Sequence, residues 1–154
     1  MIKNLFKKAA DSYKIGDLVT SERIVKQILS ETPDNISALI LLGSIYSSRH
    51  QYGKAISQFK EVLRLDPDNF ESLNNLGVIY RRLEDYETAL KLIRKTLTLK
   101  PNSADIYYNM GNIYKCQENT EMAIDAYRKA ITLNPLFVLA YNNLATLYQH
   151  SGNT

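Results

Sequence analysis

The chain has 154 residues, 45% hydrophobic and 23% charged, with a formal net charge of +3. That composition excludes a disordered segment, and interleaved charge signs exclude the basic stripe or tail expected of a nucleic-acid binder. The length suits one ordinary domain or a short array of repeats.

The N-terminal stretch MIKNLFKKAADS meets Asp11 before any sustained apolar run, so it does not read as a secretory signal. The first predicted element is a helix ahead of the first link. IGDL at 15–18 follows as a short polar link, and a second helix runs toward Pro33. The residue before a proline is pushed out of the helical region, so each helix that meets one must stop there. Asn35, Asn69 and Ser103 stand where new helices begin, as capping residues for exposed backbone N–H groups.

From residue 39 onward a phrase returns: LILLGSIY at 39–46, LNNLGVIY at 73–80, YYNMGNIY at 107–114 and YNNLATLY at 141–148. Pro33, Pro67, Pro101 and Pro135 keep the same step of 34 residues. So do Gly43, Gly77, Gly111 and Ala145, and Tyr46, Tyr80, Tyr114 and Tyr148. Ala55, Ala89 and Ala123 form a further column, as do Phe59, Ile93 and Tyr127. A period in this range marks stacked repeats, each lending its neighbour an interior it cannot build alone. Within a repeat the apolar spacing is helical, as in Leu73, Leu76, Gly77, Tyr80 and Leu83, then Ala89, Leu90, Ile93, Leu97 and Leu99. RHQYG at 49–53, LEDYE at 83–87 and QENTE at 117–121 are the polar links between paired helices. The recurring Gly and Ala let two helix axes approach closely, while Leu, Tyr and Phe fill the space around that contact.

These residues resemble the tetratricopeptide repeat family, whose pattern is a large residue, Leu-Gly, Tyr, Ala, Phe and Pro across 34 positions. The second repeat matches with Leu39, Leu42-Gly43, Tyr46, Ala55, Phe59 and Pro67. The third matches with Leu73, Leu76-Gly77, Tyr80, Ala89, Ile93 and Pro101, and the fourth with Tyr107, Met110-Gly111, Tyr114, Ala123, Tyr127 and Pro135. The implied fold is an all-α, right-handed α-solenoid of antiparallel helix pairs. Its expected repeats are 2–35 (divergent), 36–69, 70–103, 104–137, and a half repeat, 138–154. In the divergent repeat the resemblance places Phe6, Ala9-Ala10 and Tyr13 in the family positions; Ala10 lies 33 residues before Gly43, which points to a one-residue shortening near Gly16.

The resemblance implies a protein-interaction module, with the first helices lining a concave groove for an extended peptide and no catalysis by this segment alone. Residues at helical spacing outside the packed columns form the inward stripe. They include Ser37, Ile40, Leu41 and Ser44, then Asn74, Asn75 and Arg81, then Tyr108, Asn109, Asn112 and Lys115. Asn75, Asn109 and Asn143 recur in phase despite the poor helix propensity of Asn. An amide can both donate to and accept from a peptide backbone. Similar ladders hold extended peptides in the repeats of O-linked N-acetylglucosamine transferase and the peroxisomal import receptor. The family's two-carboxylate clamp is absent: Ile40, Ser44, Asn75, Asp105 and Asn109 do not supply its lysines and arginine.

His50 and His150 stand near turns without companions at metal spacing, and read as surface residues; no metal or cofactor is expected. Cys116 is the single cysteine, so no intrachain disulfide forms, which fits a reducing compartment. The longest apolar runs, ALILLG and PLFVLAY, are too short to span a bilayer, and the cytoplasm is the expected location. At the end of the chain Tyr141, Leu144, Leu147 and Tyr148 form an apolar face with no following helix to cover it. SGNT at 151–154 looks like the start of another link, so the segment reads as part of a longer chain, such as the substrate-recruiting arm of a glycosyltransferase. Alternatively the bare face supports self-association.

Overall fold

The computed structural model describes residues 2–151, with side chains to residue 149. Ser151, expected in the SGNT link, ends the last helix, while residues 152–154 and the His150 side chain lie outside the described residues. Among the described residues there are nine α-helices and no strand. They run α1 (Ile2–Lys14), α2 (Leu18–Glu31), α3 (Ile36–Ser48), α4 (Tyr52–Leu65) and α5 (Phe70–Arg82). Then come α6 (Tyr86–Leu99), α7 (Ala104–Cys116), α8 (Thr120–Leu133) and α9 (Val138–Ser151). The fold class is an all-α helical repeat. Backbone packing groups the chain into two compact units, one up to Ile79 and one from Tyr80 onward.

Two alternating stops define the helices. The first is a left-handed residue at 16, 50, 84 and 118, with φ of 83°, 58°, 62° and 59°. At each, two backbone bonds close the helix end: Gly16 N donates to Tyr13 O and Asp17 N to Ser12 O, at 3.0 and 2.9 Å. The same pair recurs at Glu118 and Asn119, donating to Lys115 O and Tyr114 O. This is the Schellman termination, whose left-handed position favours glycine; only the first turn has one. The second stop is the residue before each proline. Thr32, Asp66, Lys100 and Asn134 all sit near φ of −137°, with ψ between 76° and 93°, outside the helical region as the proline demands.

The next helix is then capped by a side chain where one is available. Asn35 Oδ1 accepts from Ala38 N, and Asn69 Oδ1 from Ser72 N, both at 3.0 Å. Ser103 makes no such bond, contrary to expectation. Asp17, Asp85 and Asn119 cap the second helices by accepting from Thr20 N, Thr88 N and Met122 N.

In the first unit α1 packs on α2, α2 on α3, and α3 on α4. Gly43 permits the α3–α4 approach: a Cβ there would lie 2.8 Å from the Phe59 ring. The divergent repeat has no missing residue. α1 and α3 both span 13 residues and start 34 apart, as do α2 and α4, at 14 residues each. The packing positions of α1 are therefore Leu5, Ala9 and Ser12, not Phe6, Ala10 and Tyr13. Ala9 is fully buried, and Ser21, at the position of Ala55, donates its hydroxyl to Ala9 O at 2.9 Å. Ser21 thus holds α2 close against the α1 backbone.

In the second unit α6 packs on α7, α7 on α8, and α8 on α9. Ala89, Ile93, Ile106 and Ile113 form one buried cluster, and Tyr114, Ala123, Ala126 and Tyr127 another. Leu83 and Leu99, counted with the apolar stripes from sequence, are instead exposed, each at or beyond the end of its helix.

Candidate functional site

The site grows from a packing contact. Gly111 has no side chain, so the ring of Tyr127 lies directly against α7; a Cβ at 111 would be 2.6 Å from Tyr127 Cε1. The ring is fully buried, and its hydroxyl reaches through the contact to donate to Asn112 Oδ1 at 2.8 Å. Burial, then the neighbouring Tyr108, pushes the Tyr127 hydroxyl well above its ordinary value, with the nearby Arg81 charge opposing. It remains a neutral donor.

Around Asn112 a network joins α7, α8 and α9. Asn143 Nδ2 donates to Asn112 Oδ1 at 3.0 Å and to Tyr108 Oη at 3.4 Å. Lys115 Nζ donates to Asn143 Oδ1 at 3.2 Å. The Tyr108 ring sits 5.0 Å from that of Phe137 and 5.9 Å from that of Tyr127, in tilted contacts that hold it in place. Four of the eight residues expected to bind peptide, Tyr108, Asn112, Lys115 and Asn143, are therefore brought together.

Within the network their hydrogen-bonding groups are used unequally. Both N–H groups of Asn143 donate within the network, so this amide is a strut between α7 and α9, not a free rung for a ligand. Asn112 spends its oxygen on Tyr127 and Asn143, and its N–H groups meet no acceptor among the described residues. Lys115 uses one of three N–H groups, and the Tyr108 hydroxyl can donate outward while accepting from Asn143. The face is rich in hydrogen-bond donors and complements acceptor groups.

The other expected residues divide between the two units. Arg81 lies in the second, its guanidinium 3.8 Å from Cys116 Sγ, and Asn109 is half-buried on α7 beside Tyr108. Asn74 and Asn75 are half-buried on the part of α5 that belongs to the first unit. Tyr127 was absent from the sequence-derived site because its column, with Phe59 and Ile93, reads as pure core. The available signal was a tyrosine where the second repeat has phenylalanine: its hydroxyl has to find a partner.

The terminal apolar residues also separate. Leu144 and Leu147 pack against the Tyr114, Ala123, Ala126 and Tyr127 cluster, so they are not part of an open face. Tyr141 and Tyr148 are 46% and 42% exposed, whereas Tyr46 and Tyr114, in the column of Tyr148, are 8% and 6% exposed. Arg128 stacks over the Tyr148 ring at 5.9 Å. Among the described residues no cluster of His, Cys, Asp and Glu could hold a metal, and no helix is long and apolar enough to cross a membrane.

Solved structures similar to this chain include a MamA protein, 26% identical over 98% of this chain and 82% of its own, at a TM-score of 0.79. MamA residues 41 to the end from Desulfovibrio magneticus RS-1 are 22% identical, with 98% and 85% covered and a TM-score of 0.83. TTC0263, a thermophilic TPR protein of Thermus thermophilus, is 19% identical, with 97% and 82% covered and a TM-score of 0.84. At the latter two identities the likeness is one of fold. No curated protein sequence matches. Profiles described as tetratricopeptide repeat match residues 68–135 and 126–154, and one described as TPR repeat matches residues 43–83. With the 34-residue helical period, these matches make the chain a member of the tetratricopeptide repeat family.

Proposed function

We propose that this protein-interaction module binds an extended segment of a partner protein on the donor-rich face of α7, through main-chain carbonyls or a carboxylate. The observation that carries the reading is the fixed Asn112 amide, whose oxygen is saturated from within while its N–H groups are not. A group held this way loses little freedom on binding, which favours affinity. Lys115, Tyr108 and Asn109 extend the donor set, Arg81 adds positive charge, and Asn143 positions Asn112. Asn74 and Asn75 are proposed to contact peptide on the first unit. The chemistry parallels the Asn ladders of O-linked N-acetylglucosamine transferase and the peroxisomal import receptor.

The test is calorimetric titration of peptides selected from a random display library, on the native chain and on Asn109→Ala and Lys115→Met variants. Both substitutions spare the Tyr127–Asn112 bond, so folding should persist. Affinity is expected to fall about tenfold, the worth of one charge-assisted hydrogen bond. Unchanged affinity in both variants discards the reading.

A second reading rests on the exposure of Tyr141 and Tyr148, in columns that are buried at Leu39, Leu73, Tyr46 and Tyr114. We propose that this face contacts a second copy of the chain. Light scattering across a concentration series tests it; a monomer at every concentration excludes it.

A further inference from the structure

The first unit carries a cavity that the Asn-based reading does not use. It has a volume of about 290 Å³ and opens among α1, α3 and the start of α5, near the ~300 Å³ lower bound of ligand pockets. Phe6, Tyr13, Ile40 and Leu41 line it together with Ser37, Ser44 and the exposed Glu71. Tyr13 is held by a 3.1 Å hydrogen bond between its hydroxyl and Ser48 Oγ, which fixes one wall before any ligand arrives.

Three observations point to a bound side chain. Four of the seven lining residues are aromatic or aliphatic, although in later repeats their columns turn polar: Phe6 and Ile40 give way to Asn74 and Tyr108, and Leu41 to Asn75, Asn109 and Asn143. The correct α1 register also matters, because it takes Phe6 and Tyr13 out of the interior. Finally, Glu71 is the one charged residue lining the cavity, and it joins no ion pair with any described residue. A carboxylate at the mouth of an apolar pocket complements a cation carried next to a hydrophobic group.

We propose that this cavity is a specificity subsite for a bulky apolar side chain (Leu, Met or Phe) flanked within two positions by Lys or Arg, which pairs with Glu71. The proposal rests on the peptide-binding reading and adds the sequence class of the partner. Apolar burial supplies the affinity, and Glu71 discriminates between basic and acidic neighbours.

The test is selection from a random dodecapeptide display library on the native full chain, repeated on Ile40→Asn, Glu71→Lys and Lys115→Met variants with melting curves as the folding control. Asn already occupies the Ile40 column at Asn74, and Glu71 is exposed, so both first-unit variants should fold. The native chain should enrich peptides with an apolar residue next to a basic one. Glu71→Lys should invert the flanking preference to acidic, and Ile40→Asn should weaken the enriched peptide about tenfold or more. If both variants enrich the native sequences at native yield while Lys115→Met loses them, the subsite is wrong and the interaction reading stands. If the native chain enriches nothing, both fall.

Discussion

Replacing Gly111 by Ala probes the contact from which the site is built. The new methyl would meet Tyr127 Cε1 at 2.6 Å and Cδ1 at 2.7 Å, whereas carbon atoms rest at about 3.5–4.0 Å. The ring cannot swing aside cheaply, because it is fully buried and its hydroxyl is tied to Asn112. Overpacking of this kind costs about 1–3 kcal/mol, here toward the upper end. Ala gains roughly 1 kcal/mol over Gly in a helix interior, so the net loss should be about 1–2 kcal/mol. Urea denaturation of Gly111→Ala, Tyr127→Leu and the double variant separates the terms. With Leu at 127 the clash is gone and Gly111→Ala should stabilise by up to about 1 kcal/mol, a coupling of about 2 kcal/mol between the sites. An identical effect of Gly111→Ala in both backgrounds would show that the ring does not rest on residue 111.

Ser72 has a buried hydroxyl with no hydrogen-bond partner among the described residues, and its column holds alanine at Ala38 and Ala140. Ser72→Ala should therefore raise stability by about 1 kcal/mol, read as a higher urea midpoint; a lower midpoint would reveal a hidden partner. Gly16→Ala meets no atoms but inherits φ of 83°, so it should cost about 1 kcal/mol. Glu118→Gly relieves the same strain at 59° and should be neutral or stabilising; thermal melts of the pair check the opposite signs. Glu22 is held below its ordinary carboxylate value by hydrogen bonds from Lys26 and Arg49, against some desolvation. Since its folded value is depressed, its contribution is present above the unfolded carboxylate value and lost as pH falls through the folded one. Acid titration of stability should steepen there, and Glu22→Gln should flatten that slope.

The repeat was legible in the sequence because one of its two stops has a local chemical cause and its packed columns recur at a fixed step. Proline ends one helix, and the apolar step of 34 residues needs no tertiary information. The register of α1 was not legible, since Ala9 and Ala10 are both small and Phe6 and Tyr13 both look like core. What decides is that Ser21 stands in for the alanine of later repeats and bonds to Ala9 O. The same ambiguity hides the first-unit cavity, because Phe6 and Tyr13 at helical spacing read as interior. In the second unit the asparagines were visible as a column, but not their division of labour. Whether an amide faces a ligand or a neighbour depends on groups on other helices: Asn143 is consumed by Tyr108 and Asn112, while Asn112 is oriented by a hydroxyl from the far side of α7.

The most direct test is the side-chain amide signal of Asn112 in nitrogen-labelled protein, followed by NMR as a display-selected peptide is added. The Asn112 N–H pair should shift in step with saturation while the Asn143 pair, already engaged, moves far less. A peptide that binds with equal occupancy and leaves the Asn112 signal in place would contradict the account.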